Sequence, residues 1–139
     1  MFRLDDKIAL VTGAATGIGQ AIALALASSG ADIVITDRRL EALVETESQI
    51  LSYGRRALRI AVDVREQDEV RRCVAIAEES FGPIDILVNN AGINRPAPAY
   101  EVTPEEWDDH FNTNVRGGFF LTQAVAEGMR RRLGVRGSV

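Results

Sequence analysis

The sequence has 139 residues, of which 46% are hydrophobic and 26% charged, and its formal net charge is -4 at pH 7. This composition is typical of a soluble globular domain; it argues against a disordered chain and gives no electrostatic reason to expect nucleic acid as a partner. The single cysteine favours a reducing cytoplasm, and the acidic N-terminus and short apolar runs predict neither a secretion signal nor a membrane span.

Short apolar runs alternate with segments in which apolar residues recur every three or four positions. The runs predict strands at 7–12, 33–37, 58–63 and 84–88. The periodic segments predict helices ending near Gly30, Gly54 and Gly82. The first helix is expected to bury the apolar residues Ile18, Ala21, Ile22, Ala25 and Leu26. Strands and helices that alternate with short connections predict an α/β fold with a parallel sheet.

The alternation of strands and helices ends near residue 95. A proline-bearing loop at 95–100 precedes Thr103-Pro104-Glu105-Glu106, a pattern that predicts a capped helix start. A longer helix is expected from about residue 114 to 132, and residues 135–139 look like the approach to a fifth strand. We therefore predict a doubly wound parallel sheet that is truncated before its fifth strand.

Three glycines follow the first predicted strand, within residues 12–19. Glycines at a strand-to-helix turn let the backbone approach a pyrophosphate, which binds the free amides of the helix N-terminus. The spacing G-x-x-x-G-x-G differs from the generic dinucleotide motif G-x-G-x-x-G. We nevertheless expect a phosphate-binding loop rather than a simple tight turn, formed by Gly13, Thr16, Gly17, Ile18 and Gly19.

Asp37 ends the second predicted strand, about twenty residues after the loop, where a carboxylate can accept hydrogen bonds from the adenosine ribose hydroxyls. This position favours NAD as cofactor, because a carboxylate would repel the 2'-phosphate of NADP. Arg38 and Arg39 follow directly and can instead hold such a phosphate, so NADP is the alternative cofactor. The simplest alternative to a cofactor-binding role is that Asp37 is an acid at a strand end, followed by solvated arginines.

Together with three further segments, this loop resembles the motifs of the short-chain dehydrogenase/reductase family over nearly the whole chain. Residues 12–19 resemble its T-G-x-x-x-G-I-G loop, Asp63-Val64 its D-V pair, residues 89–92 its N-N-A-G, and residues 114–117 the segment with its active-site asparagine. The resemblance implies that residues 1–139 are the N-terminal portion of one Rossmann-type, NAD(P)-binding domain. It also implies hydride transfer between a nicotinamide cofactor and an alcohol or ketone.

The resemblance implies roles for single residues. Asp63 and Val64 would lie beside the adenine, and Asn89 would support the centre of the sheet. The cofactor would also be contacted by Asn90, Ala91 and Gly92, of which the last two would line the adenosine ribose. Asn114 would bend its helix and hold, through its main chain, a water of the proton relay. The simpler alternative for residues 89–90 is a turn that ends the strand.

The family's chemistry also uses a serine, a tyrosine and a lysine four residues after that tyrosine. Neither Tyr53 nor Tyr100 has a lysine at that spacing, since Lys7 is the only lysine, and Ser138 precedes the expected position of the catalytic serine. We therefore expect a truncated, inactive chain from an oxidoreductase parent. The alternative is a catalytically silent nucleotide-binding module or a gene fragment.

The resemblance implies a homo-oligomeric parent, in which the helix at 114–132 packs against a partner subunit. We therefore expect part of an apolar face to be uncovered, and the chain to self-associate, through Phe119, Phe120, Leu121, Val125 and Met129. Cys73 is expected in the core, His110 in a packing or surface role, and Arg95 either facing a substrate or decorating a loop. The spacing of residues shows no metal-ligand cluster. The start of the chain and the turn at 92–95 are similar to sugar-acid dehydrogenases and to 3-oxoacyl carrier-protein reductases of the family, so the substrate stays open.

Overall fold

The computed structural model describes residues 2–134. Four parallel strands form one sheet in the order β3-β2-β1-β4. Their bounds are Ile8–Thr12 for β1, Asp32–Asp37 for β2, Ala57–Ala61 for β3 and Ile86–Val88 for β4. The chain therefore builds the sheet outward from β1 in both directions, which confirms the predicted doubly wound parallel fold. The expected fifth strand and Ser138 lie outside the described residues.

The helices follow the predicted order, and the last two are joined without a break. They are α1 (Gly17–Ser28), α2 (Val44–Ser52, after a 3₁₀ turn at Leu40–Leu43), α3 (Gln67–Phe81), α4 (Pro104–Phe111) and α5 (Gly117–Arg132). A π-helical turn, Asn112–Arg116, joins α4 to α5, so the helix predicted from residue 114 is the second part of a segment that begins at Pro104. The predicted cap is present, since Thr103 and Glu106 exchange hydrogen bonds at its start.

The two faces of the sheet are covered by different helix pairs. We call the face under α1 and α2 the small-residue face, because alanines make up much of its core: Ala9, Val11, Ala14, Ala15, Ala23, Ala27, Ala31, Ile33, Ile35, Leu43 and Ile50. We call the face under α3 and α5 the large-residue face, because branched side chains fill it: Ile8, Leu10, Val34, Ile60, Val62, Val64, Val70, Cys73, Val74, Ala77, Ile84, Leu121 and Val125. Cys73 is thus in the core, as expected.

The buried stripe of α1 is not the predicted one. Gly19, Ala23 and Ala27 face the sheet, whereas Ile18 is 73% exposed. Of the other residues expected on the stripe, two are half-buried and two exposed: Ile22, Leu26, Ala21 and Ala25. The reason is the close approach of the helix to the strands. A Cβ at position 19 would lie 2.2 Å from the carbonyl oxygen of Gly13, so only glycine fits there without a clash.

The expectation for α5 is partly wrong. Leu121 and Val125 point into the large-residue face and are each only 2% exposed, and Met129 packs against the same core. Phe119 is the large apolar residue of α5 that the described chain leaves most open, at 62%. Within residues 2–134, no helix combines the length and apolar character that crossing a membrane requires.

Candidate functional site

A cleft of about 140 Å³ opens where the carboxyl ends of the four strands meet. In doubly wound sheets, ligands bind at this edge, where the strand order reverses. The predicted site residues that line the cleft are Gly13, Asp37, Arg38, Asp63, Val64, Ala91 and Gly92. The cleft also has lining residues that sequence reasoning missed: Thr36, Val62, Arg65, Ile93 and Thr113. The remaining predicted residues belong to the glycine loop, to its support and to the π-helical turn.

The glycine loop leaves the helix N-terminus open to a ligand. Gly13 and Gly17 have φ values of 62° and 60°, a left-handed conformation that favours glycine. The space beside Gly17 is empty to at least 4 Å, so a ligand can approach the backbone there. Thr16 occupies the N-cap without a side-chain cap, and the first turn of α1 carries no acidic residue. The first amides of α1 are therefore available to an anion.

A network of hydrogen bonds joins the end of β1 to the end of β4. The Thr12 hydroxyl accepts from the backbone N–H groups of Asn90 at 3.0 Å and Ala91 at 2.9 Å. The Asn90 side chain donates to the carbonyl oxygens of Thr12 and Gly13, both at 3.1 Å. The side chain that supports the sheet centre is therefore Asn90 and not Asn89, which donates to the Thr122 hydroxyl of α5.

Thr46 supports the glycine loop from behind, and sequence reasoning missed it. Its side chain is fully buried, and the hydroxyl donates to the Ala14 carbonyl oxygen at 2.9 Å while accepting from Gln20 at 3.0 Å. Because Thr46 lies between the buried residues Leu43 and Ile50 at helical spacing, it holds a core position of α2. The sequence did contain a signal for this role, namely a polar residue at a position where helical spacing predicts burial.

The strand ends on the β2 side of the cleft carry the predicted charges. The Asp37 carboxylate accepts a long hydrogen bond of 3.3 Å from the Arg39 backbone, and Arg38 is exposed at the wall of the cleft. After β3, Asp63 is held by Arg65, whose side-chain hydrogen bonds are the main reason that the pKa of Asp63 is lowered. Two carboxylates, Asp37 and Asp63, and two arginines, Arg38 and Arg65, therefore line the same cleft.

Asn114 fixes the segment after β4. Its side-chain oxygen accepts from the Ile93 N–H at 2.7 Å, and its side-chain nitrogen donates to the Ile93 carbonyl oxygen at 2.8 Å. The side-chain amide thus pairs with both the N–H and the carbonyl group of Ile93, as a neighbouring strand would. Asn114 lies in the π-helical turn, and its contact joins this turn to Ile93, which lines the cleft. The water that its main chain was expected to hold stays a prediction.

His110 and Arg95 tie the same segment to α4. The His110 ring accepts from the Arg95 N–H at 3.1 Å through Nε2 and contacts the Glu106 carbonyl oxygen at 2.8 Å through Nδ1. The Arg95 side chain pairs with Asp109. His110 therefore has a packing role, and the Arg95 guanidinium is held by an acid of α4. No three His, Cys, Asp or Glu side chains within residues 2–134 are grouped in a way that would hold a metal ion.

Residues 7–139 match the short chain dehydrogenase family, and the chain belongs to that family. Among its relatives, gluconate 5-dehydrogenase of Gluconobacter oxydans is 46% identical over 93% of this chain and 50% of its own length. The 2-dehydro-3-deoxy-D-gluconate 5-dehydrogenase of Escherichia coli is 43% identical over 91% of this chain and 49% of its own length. The chain therefore spans about half the length of these relatives.

Solved structures give the same assignment. A short-chain type dehydrogenase/reductase from Mycobacterium marinum is 39% identical, with a TM-score of 0.92 over 94% of this chain and 53% of the other. A metagenomic short-chain oxidoreductase, solved in complex with NADP, is 35% identical, with a TM-score of 0.88 over 93% of this chain and 59% of the other. The family and the fold that the sequence motifs predicted are both confirmed.

Proposed function

We propose that this chain is the cofactor-binding portion, at the N-terminal end of a single Rossmann-type domain, of a nicotinamide-dependent oxidoreductase that interconverts an alcohol and a ketone. The observation that carries the proposal is the open glycine loop at the switch point of the sheet. Free amides, a left-handed Gly17 and empty space beside it fit the pyrophosphate of a dinucleotide.

The order of the strands assigns residues to the parts of the dinucleotide. The pyrophosphate would bind residues 16–19 after β1, and the adenosine ribose would bind Asp37 at the end of β2. The base would then lie toward β3, beside Asp63 and Val64, and Ala91 and Gly92 would line the adenosine ribose. The nicotinamide half would extend toward the end of β4. When bound, the nicotinamide accepts or supplies the hydride. Asn90 and Asn114 contribute by holding the two backbone segments that frame this space.

For the cofactor, we propose NAD. The Asp37 carboxylate at the end of β2 is suited to the ribose hydroxyls of NAD and would repel the 2'-phosphate of NADP. Arg38 beside it supports NADP as the second candidate, and the metagenomic neighbour with 35% identity was solved with NADP. The two residues thus make opposite contributions, and their variants distinguish the candidates.

For the chemistry, we propose that catalysis needs groups beyond those in these 139 residues. The proposal is supported by the spacing of the tyrosines, since neither Tyr53 nor Tyr100 is followed by a lysine four positions later, and a phenol needs a neighbouring ammonium to exchange a proton with the substrate oxygen. The chain alone should bind cofactor without turnover. Relatives named for gluconate, deoxygluconate and sorbitol favour a polyhydroxylated alcohol or ketone as the substrate of the whole protein. A nucleotide-binding module without catalysis is the second candidate.

The test is a calorimetric titration of the purified chain with NAD and with NADP. We expect NAD to bind, and Asp37→Ala to weaken NAD binding about tenfold, because a hydrogen bond to a carboxylate contributes on that order. Arg38→Ala should leave NAD binding nearly unchanged. Asp68→Ala is the matched control, since it removes the same charge from a fully exposed side chain of α3.

Failure of both nucleotides to bind a folded chain would overturn the proposal. Tighter binding of NADP than NAD, lost in Arg38→Ala, would assign the site to NADP. Oxidation of an alcohol by the chain alone would contradict the expected lack of turnover.

A further inference from the structure

Two side chains on successive helical turns hold the segment that follows β4. Asn114 of the π-helical turn pairs with both backbone groups of Ile93, which lines the cleft. One turn earlier, His110 of α4 accepts a hydrogen bond from the backbone N–H of Arg95 at 3.1 Å. Side chains four positions apart on a helix lie about 6 Å from each other, and alternate residues of an extended chain repeat at roughly 6.7 Å. The two helical side chains therefore match the two-residue repeat of the segment.

The contacts of His110 fix which ring nitrogen carries a hydrogen. The backbone N–H of Arg95 can only donate, so Nε2 must accept and carries no hydrogen. The carbonyl oxygen of Glu106 can only accept and lies 2.8 Å from Nδ1, so Nδ1 must carry the hydrogen. The contacts therefore require a neutral ring. A protonated ring carries hydrogens on both nitrogens, and its Nε2–H would face the Arg95 N–H, donor against donor.

Four charged side chains take part in the contacts around the ring. On α4 these are Glu106, whose charge interacts with His110, and Asp109, which precedes the histidine in sequence. The other two are Arg95 of the segment after β4 and Arg65 after β3, and both are paired with Asp109. The acids favour a charged ring and the arginines oppose it. Whatever their balance, the contact with Arg95 needs an Nε2 without a hydrogen, and only the neutral ring provides one.

We propose that His110 is a positioning residue for the nicotinamide end of the cleft: its neutral ring holds the Arg95 backbone and thereby keeps the segment after β4 where the nicotinamide half of the cofactor binds. The proposal rests on the proposed function, because it needs a dinucleotide in this cleft. Histidine is the side chain that ordinarily changes charge between about pH 5 and 8. The contact is present while the ring is neutral and is lost as falling pH protonates it. Affinity for the nicotinamide half should fall with it.

The first measurement needs no nucleotide. His110 is the only histidine of the chain, so its ring signals in an NMR spectrum need no separation from others. The nitrogen shifts of the ring at about pH 7.5 should place the hydrogen on Nδ1, and the amide signal of Arg95 should move as the ring titrates. A hydrogen on Nε2 in the neutral ring would overturn the proposal, whether or not any nucleotide binds.

The second measurement compares two probes by calorimetry, NAD and ADP-ribose, at about pH 7.5 and about pH 5.5. ADP-ribose lacks only the nicotinamide ring, so effects of pH on the adenosine and pyrophosphate parts of the cleft cancel in the ratio of the two affinities. NAD should bind more tightly at the higher pH. The ratio should fall about fivefold at the lower pH, the contribution of one neutral hydrogen bond.

The two acids beside the ring do not account for such a change. Hydrogen bonds from Thr103 lower the pKa of Glu106, and hydrogen bonds from Arg95 and Arg65 lower the pKa of Asp109. Both carboxylates therefore stay ionised at the two pH values. A change in the ratio can then be assigned to the His110 ring.

Two substitutions separate the acceptor from the ring. His110→Gln keeps an acceptor oxygen near the position of Nε2 and gains no charge, so its ratio should stay high at both pH values. His110→Leu has no acceptor, and its ratio should be low at both. Phe111→Leu is the matched control, because it removes the next ring of α4, which is 47% exposed and stacks on Trp107. This control should keep the ratio and its dependence on pH.

The outcomes separate the two proposals. If neither probe binds the unchanged chain, the proposed function and this inference both fall. If NAD binds and the ratio does not change with pH, or changes equally in His110→Gln, only the role of His110 is overturned. A purely structural role has that result, because it would weaken both probes equally. A ratio that falls with pH in the unchanged chain and in Phe111→Leu, and stays high in His110→Gln, supports the proposal.

Discussion

The helices on the two faces of the sheet press side chains of different size against the strands. On the small-residue face, α1 approaches through Gly19, Ala23 and Ala27. On the large-residue face, α5 approaches through Leu121 and Val125, which fill the space above the strands. One close helix-to-loop contact is on the small-residue face, where a Cβ on Gly19 would lie 2.2 Å from the Gly13 carbonyl oxygen.

The difference in side-chain size gives the two faces different tasks, access for a ligand on one and stabilisation on the other. Short side chains bury little apolar area, but they let the N-terminus of α1 reach the strand ends, where its amides can bind a ligand. Long side chains bury more area and contribute most of the hydrophobic stabilisation. The large-residue face has one comparable close contact with backbone, since a Cβ on Gly117 would lie 2.6 Å from the Val64 carbonyl oxygen; a Cβ on Gly128 would meet only the end of the Glu78 side chain, at 2.2 Å. The contact at Gly117 too is next to the cleft, so close packing accompanies the site on both faces.

The largest effect on stability is expected for Leu121→Ala on the large-residue face. Its side chain is 2% exposed, and removing it should leave a cavity that lowers the free energy of unfolding by about 3 kcal/mol. Phe119→Ala is the control, because Phe119 is 62% exposed on the same helix and its truncation should cost less than about 0.5 kcal/mol. Urea denaturation measures both; equal losses would break the distinction between the buried and open sides of α5.

A smaller loss of stability is expected for Gly19→Ala on the small-residue face. The added Cβ would meet the Gly13 carbonyl oxygen at 2.2 Å, and relieving this clash should cost about 2 kcal/mol and displace the glycine loop. Gly118→Ala is the control in α5, where a Cβ would be 3.6 Å from the nearest atom, in the Asn89 side chain, and alanine should be neutral or slightly stabilising. Urea midpoints and NAD titration together test this. Unimpaired NAD binding by Gly19→Ala would show that the loop does not need close packing.

The smallest effect is expected for Thr46→Val, which tests the polar contact beneath the loop. Losing the hydroxyl leaves the Ala14 carbonyl oxygen and the Gln20 side chain without this partner, at a cost of about 1 kcal/mol. Thr46→Ser keeps the hydroxyl and should retain the loop contacts. Denaturation and nucleotide titration of the pair would show whether loop position follows the hydroxyl. A serine variant as impaired as the valine variant would contradict this, because serine keeps the hydroxyl and lacks only the methyl group that valine retains.

The sequence predicted the features that depend on neighbouring residues. Apolar runs located all four strands, and the glycines located the turn after β1, because both signals are local. The capping box at Thr103 and Glu106 was readable for the same reason. Most residues of the cleft could be named because they directly follow strand ends, which meet at one edge in any parallel sheet.

The misassigned residues depend on distances that the sequence does not contain. Hydrophobicity favoured Ile18 as buried, but the close approach of α1 selects size instead and places Gly19 against the loop. Asn89 and Asn90 are neighbours of equal chemistry that follow β4, but their side chains have different partners: Thr122 of α5 for Asn89, and the carbonyl oxygens at the end of β1 for Asn90. Arg65 and Asp109 are 44 residues apart, and no local pattern joins them.

The hydrogen-bond network between Thr12 and Asn90 sets an order of events during folding. Its partners are separated by 78 residues, so the contact closes a long loop and is expected to form late. Because the Asn90 amide also holds the Gly13 carbonyl, the glycine loop cannot take its final shape before β4 has docked. A growing chain with only β1, β2 and β3 in place would therefore lack nucleotide affinity. Bound nucleotide should report that β4 has docked on β1, and it should slow unfolding rather than speed assembly of the sheet.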